Sequence, residues 1–153
     1  MTLTLENETD YVIDLDSLGL EAQFLFGALR LHPDVELSIR MISSDEMETL
    51  HLEWMHEPGA TDILSFPMDE LRPTDQPAAG VLGDIVICPE FVEADAVRHE
   101  MALAERIEFL LVHGILHRIG YDHATQEEYD TMFALQDELL VQWRSSRQGS
   151  ERG

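Results

Sequence analysis

The chain has 153 residues, enough for one domain with a real hydrophobic core, and its 44% hydrophobic content fits a globular protein. Its 31 acidic residues outweigh nine basic ones, all arginine, for a net charge of −22, which repels nucleic acid at long range and excludes indiscriminate nucleic-acid binding. No apolar run approaches a membrane span, the opening MTLTLENETD lacks a basic-then-apolar signal pattern, and the single cysteine excludes an internal disulfide, so a cytoplasmic protein is expected.

Taken in order, LTLEN alternates apolar and polar residues as a half-buried strand does. Asp16 or Ser17 is expected to cap a helix to about Leu31, with Leu20, Phe24 and Ala28 on its inner side. Pro33-Asp34 breaks it. Val35 to Ile42 alternates again, with Val35, Leu37, Ile39 and Met41 on one face. Ser43 and Glu46 have capping-box spacing for a second helix, with Met47, Leu50 and Trp54 inward. A turn at Glu57-Pro58-Gly59-Ala60 leads into a short strand, Thr61 to Phe66, stopped by Pro67.

Residues 68–80 are rich in proline and polar side chains and read as a loop or flap. Val81 to Cys88 is an apolar strand interrupted by Asp84. That carboxylate is either an exposed or hydrogen-bonded strand residue, or an outer partner that orients a metal ligand. Cys88 ends the run and reads as a small core residue. Pro89 starts a short helix through Val97, and another helix begins near Ala102. Thr125 and Glu128 open a last helix with Tyr129, Met132, Phe133, Leu139, Leu140 and Trp143 at helical spacing, a core stripe. The irregular alternation predicts an α+β fold: a single domain over 1–143 with a small mixed β-sheet packed with helices, followed by a disordered, locally basic tail over 144–153.

The chemistry concentrates in HGILHRIGYDH. His113 and His117 are four apart, so a helix stacks both imidazoles on one face. Gly120 suits a left-handed turn at the helix end, which would bring His123 round to face them. Three convergent neutral imidazoles suit zinc or a neighbouring transition metal, one ion per chain, with a fourth position open as in catalytic sites. The remaining histidines, His32, His51, His56 and His99, show no such spacing and read as surface or boundary residues. The spacing equals that of the zinc-peptidase pattern H-E-x-x-H-x-x-G-x-x-H, but Gly114 stands where those enzymes carry the glutamate that serves as general base. Glycine cannot take a proton, which argues against a metallopeptidase.

HGILHRIGYDH, with ATDILSFP at 60–67 and LGDIVIC at 82–88, resembles the YbeY family of bacterial ribosomal RNA maturation factors, in order and spacing over nearly the whole chain. The resemblance implies a metal-dependent, single-strand-specific endoribonuclease. It would act in ribosomal RNA maturation, notably at the small-subunit 3′ end, and in ribosome quality control. Zinc would be held by His113, His117 and His123. RNA and small-subunit ribosomal proteins are the implied partners, with no membrane and no DNA. One departure is local: Trp54 and Met55 stand where many members carry tyrosine and arginine, and methionine cannot pair with phosphate. Either Arg40, Arg72 or Arg118 replaces that arginine, or anionic substrate is held less directly. Asp84 and Asp122 are candidates to orient a ligand or accept its proton. A ribosome-assembly binding factor with a mainly structural metal remains the alternative, favoured by the acidic surface.

Overall fold

The computed structural model describes residues 2–31, 34–57, 59, 61–66, 81–121 and 124–152. Four strands, β1 (Thr2–Asn7), β2 (Glu36–Met41), β3 (Ile63–Phe66) and β4 (Val81–Ile87), form one sheet in the order β1-β2-β4-β3. The first two neighbouring pairs are parallel and β3 runs antiparallel to β4, so the sheet is mixed, as expected. Among the described residues five helices accompany it: α1 (Leu15–Ala28), α2 (Ser44–Met55), α3 (Pro89–Arg98), α4 (Leu103–Arg118) and α5 (Gln126–Arg152).

The period-two pattern divides the sheet into two faces. Leu37, Ile39 and Met41 of β2 join Ile85 and Ile87 of β4 in the main core, under α1, α3, α4 and α5. Each fully buried aliphatic side chain there contributes about 1.5–3 kcal/mol. Val86, Leu64, Ile42 and Cys88 lie in the smaller cluster on the other face, under Met47 of α2. Burial pushes the Cys88 thiol up, consistent with an inert core residue. A one-residue bulge separates the Glu36–Val81 pair from the Leu37–Gly83 pair, and Gly83 takes φ +123° beside it, a value that favours glycine.

Helix α4 is the central support of the main core. Leu111, Val112, Ile115 and Leu116 are completely buried on it. Gly114 lets it approach the sheet closely: a β-carbon there would sit 3.1 Å from Ile63 Cδ1 and 3.2 Å from Ile85 Cδ1. Arg106 on α4 donates through Nε and Nη2 to Asp95 Oδ2 (3.1 and 2.8 Å), which ties α3 to it.

Several expectations are corrected. Helix α1 is capped by Asp14, whose carboxylate accepts from the Ser17 N–H (3.0 Å), and not by Asp16 or Ser17. Its inner face carries Leu18, Gly19, Ala22, Leu25 and Phe26, while Leu20 is 53% exposed. The segment is apolar nearly all round, so two faces satisfy the helical period. The face bearing small residues lies against β1, with the Gly19 β-carbon position 3.1 Å from Leu5 Cδ1. On α2, Ser43 caps as expected, accepting from the Glu46 N–H (3.2 Å). Trp54, expected inward, is 47% exposed, because the cluster under α2 reaches only Met47 and Leu50. Thr125 caps α5 through the Glu128 N–H (3.1 Å), but Tyr129 is exposed at the head of its stripe.

The last helix also continues into the segment expected to be disordered. Arg144 pairs with Glu108 on α4 (2.9 Å), and Arg147 reaches Ser17 on α1 and lies 5.5 Å over the Trp143 ring. Those contacts with α1 and α4 give the basic turn of α5 a place on the domain. No described helix is long and apolar enough to cross a membrane. The turn residues Pro58 and Ala60, His32, and the proposed flap at 68–80 fall outside the described residues.

Candidate metal centre

His113 and His117 occupy successive turns near the end of α4, as their spacing requires. Their ring centroids are 4.6 Å apart and nearly perpendicular, at 78°. Both are half-buried, and the His113 ring lies 5.7 Å from Phe133 on α5. Phe133 in turn stacks on Tyr129 (4.4 Å).

Gln136, one turn further along α5, is completely buried. Its Nε2 donates to the Phe109 carbonyl (3.3 Å), which turns Oε1 toward His113 Nδ1 at 3.1 Å. That oxygen can only accept, so Nδ1 carries the proton and Nε2 the lone pair. This is the tautomer a ligand bound at Nε2 requires, with the ring orientation held by an outer hydrogen bond. The sequence reading missed Gln136. Its signal was a polar residue at a core position of the stripe Met132, Leu139, Leu140 and Trp143.

The end of α4 is built as Gly120 predicts. The Tyr121 N–H donates to the Leu116 carbonyl (3.0 Å) and the Gly120 N–H to the His117 carbonyl (3.2 Å). Gly120 itself sits at φ +107°. These two bonds form a Schellman motif, which stops the helix at Arg118, one residue after His117. His123 and Asp122 follow that turn and lie outside the described residues. Among the described residues no three potential ligands converge. The two imidazoles that are described, one with its tautomer fixed, fit the nitrogen preference of a zinc-type ion.

The other candidates are dispersed. Asp84 pairs in register with Ser38 and Phe66, and it alternates with Ile85, so it belongs to the face covered by α2 and not to the face on which the histidine helix packs. Arg40 lies on that same α2 side, paired with Glu8 (3.2 Å) and Glu46 (3.6 Å). Arg118 follows His117 directly and is half-buried, and burial lowers its pKa from the ordinary guanidinium value. It is the one candidate arginine on the histidine helix; Arg72 lies outside the described residues. Met55 is exposed at the end of α2. His51, on α2, is held by the Gly59 carbonyl (3.0 Å) and Glu57 (3.4 Å), and His99, at the end of α3, sits beside Asp95 (3.7 Å).

Gly114, the position of the peptidase base, is turned to Ile63 and Ile85 in the packed interface with the sheet. A glutamate side chain has no room there, so the peptidase arrangement is excluded by packing as well as by chemistry.

A family model described as Endoribonuclease YbeY matches residues 6–144. Proteins named Endoribonuclease YbeY are similar over nearly their whole length. The one from Thermobifida fusca is 45% identical, over 99% of this chain and 100% of its own, and the one from Clavibacter sepedonicus is 44% identical, over 97% and 99%. The solution structure of a Thermotoga maritima protein superposes with a TM-score of 0.59 at 23% identity, covering 95% of this chain and 93% of that one, a likeness of fold.

Proposed function

This chain belongs to the endoribonuclease YbeY family, and from that premise we propose a metal-dependent, single-strand-specific endoribonuclease of ribosomal RNA maturation. Its substrate is the 3′ end of small-subunit ribosomal RNA, with a further part in ribosome quality control. The observation that carries the reading is the histidine pair on α4, with Gln136 setting the tautomer of His113. His123, following the glycine turn, completes the ligand set for one zinc ion per chain. Bound there, that ion supplies Lewis acidity to a phosphodiester and lowers the pKa of a water.

The chain's own residues have three tasks. Gln136 holds His113 so that its lone pair stays on Nε2. Gly120 directs the chain after the helix. Arg118, beside His117, is the candidate to meet phosphate. Histidines committed as ligands cannot exchange protons as an acid–base pair, so water and not the RNA 2′-hydroxyl is the nucleophile. A single-stranded RNA with one deoxynucleotide at the cut position should therefore still be cleaved, without a cyclic phosphate. Loss of cutting on that substrate, with cyclic ends on normal RNA, overturns this chemistry.

The net charge of −22 favours a second component of the reading: the protein reaches its substrate by docking on a basic small-subunit ribosomal protein and not by bulk attraction to RNA. Binding to small-subunit particles should weaken with salt, and free duplex RNA should bind poorly. The deciding assay is zinc-dependent cleavage of single-stranded RNA by highly purified protein, with the triple-histidine variant, all three changed to Ala, as the contamination control. Equal cleavage by that variant would refute the nuclease. Inactive but stoichiometrically metal-loaded wild type would leave the assembly factor with a structural metal.

A further inference from the structure

At the opposite end of α4 from the histidines lies a cavity of about 540 Å³, between the start of α1, the first turns of α4 and the end of α5. That volume is typical of small-ligand sites. Its apolar wall includes Ile13, Leu18, Leu103 and Ile107. Its polar lining is acidic: Asp14, Glu21, Glu105 and Glu108 against a single arginine, Arg147.

Glu21 sets this cavity apart from an ordinary acidic surface. It is 1% exposed, and neither carboxylate oxygen has a hydrogen-bond partner among the described residues. The nearby cations are engaged elsewhere. Arg144 is paired with Glu108, whose other oxygen accepts from Trp143 Nε1 (3.2 Å), and Arg147 is held by Ser17 and the Trp143 ring. A buried carboxyl without donors is costly to keep. Leucine at this position would be neutral in an apolar core, whereas glutamate supplies an acceptor that a cation can use.

We propose that this cavity is a second binding site, separate from the histidines, for a linear aliphatic ammonium group. The ammonium donates to Glu21, and its methylene chain lies along Ile13, Leu18, Leu103 and Ile107. The match is chemical: three N–H donors for two orphan oxygens, an acidic rim to attract the charge, and apolar walls for the chain. The group has two sources, a free polyamine or a lysine side chain offered by another protein. The site stands independently of the nuclease reading.

Proton balance gives a signature. Burial and the neighbouring Glu108 hold the Glu21 carboxyl well above its ordinary value, against the opposing pull of Arg144 and Arg147. Asp14 and Glu105, also on the cavity wall, add negative charge at its rim. The empty cavity therefore favours the protonated carboxyl. An arriving ammonium favours the ionised carboxylate, so binding releases a proton to solvent and tightens as pH rises toward the raised value.

The test is calorimetry on the full chain at physiological ionic strength, with putrescine and spermidine as free amines and Nα-acetyl-lysine amide as the side-chain probe. We expect one saturable site, proton release on binding, and affinity at least about tenfold weaker in Glu21→Gln, with the pH dependence gone. 1,4-Butanediol, uncharged and of the same length as putrescine, should not bind. Binding of the amines alone identifies a metabolite site, and binding of the lysine probe alone identifies a protein side chain. In wild-type protein, methyl signals of Leu18, Leu103 and Ile107 should shift and saturate together, a readout that does not depend on the variant folding. No saturable binding by any ammonium probe, diffuse shifts over the surface, or unchanged affinity in a folded Glu21→Gln overturns the proposal.

Discussion

Two glycines in helices offer a paired test of how α4 sits on the sheet. At Gly114, in the middle of α4, a β-carbon would come within 3.1 Å of Ile63 Cδ1 and 3.2 Å of Ile85 Cδ1, and within 3.6 Å of Ile85 Cγ2. At Gly27, near the end of α1 and exposed, it would meet nothing within 4 Å. Alanine in a helix gains about 1 kcal/mol over glycine. At Gly27 that gain is unopposed, though reduced near the helix end, so Gly27→Ala should stabilise by about 0.5–1 kcal/mol. At Gly114 the added methyl must displace two packed isoleucine ends, and overpacking costs about 1–3 kcal/mol. The net for Gly114→Ala is then about 0–2 kcal/mol destabilising. With about 2–4 °C per kcal/mol for a domain of this size, the two melting temperatures should move in opposite directions by a few degrees. Urea unfolding with an unchanged slope would confirm that both act on stability. Gly114→Glu adds a buried charge to the same clash and should not yield a stable folded protein. If Gly114→Ala is stabilised as much as Gly27→Ala, α4 does not lie this close to β3 and β4, and the packing argument against a peptidase base falls with it.

Gln136→Leu should weaken zinc retention about 10–100-fold, measured by competition with a chelating dye, while Gln136→Glu, still an acceptor for His113, should retain it. Equal retention in the leucine variant would remove Gln136 from the site. Glu100 closes α3 in the left-handed region at φ 55°, with the Met101 N–H bonded to the Ala96 carbonyl (2.9 Å). Glu100→Gly should relieve that strain and raise stability by about 0.5–1 kcal/mol after the entropy loss of glycine; a lower melting temperature would contradict the turn. For Glu21 the native pKa is raised above the ordinary 4.5, so the native state holds the extra proton. Its contribution is fully present below that value and is lost as pH rises through the raised native one. Glu21→Gln should therefore gain stability relative to wild type as pH rises above 4.5 and through the raised native value, and a flat difference would show that the carboxyl is not buried.

What the chain made legible was set by uniqueness of pattern. Strand β2 alternates strictly, so only one face could be buried, and Leu37, Ile39 and Met41 are buried on it. Gly120 closes α4 because few residues besides glycine tolerate φ +107°. Where a segment satisfied two answers, local reasoning had no means to choose. Helix α1 is apolar nearly all round, and its inner face was decided by whether β1 could approach Gly19, a fact of tertiary contact. The tail looked polar and basic enough to be disordered, yet Glu108 on α4 and Ser17 on α1 lie where Arg144 and Arg147 can reach them. Asp84 stood out as a strand carboxylate, but only the strand register shows that it lies on the face opposite α4.

Gln136 and Glu21 make the same point from one signature with two outcomes. Each is a polar residue at an apolar position of a helical stripe, and each is almost wholly buried. A buried polar group is costly unless partnered, so such a position asks what partners it. Gln136 has both answers within the fold: the Phe109 carbonyl takes its amide hydrogen and His113 gives its own. The glutamine is thereby spent on holding one imidazole, and its conformation has no further freedom to exploit. Glu21 has no such answer among the described residues, though two arginines stand nearby with other acceptors. The difference lies in charge as well as geometry. An amide satisfied on both sides stiffens a site, whereas an unsatisfied carboxyl beside a cavity gains most from a donor brought from outside. The two lie against opposite ends of α4: Gln136 of α5 beside His113, and Glu21 of α1 on the cavity formed with the first turns of α4.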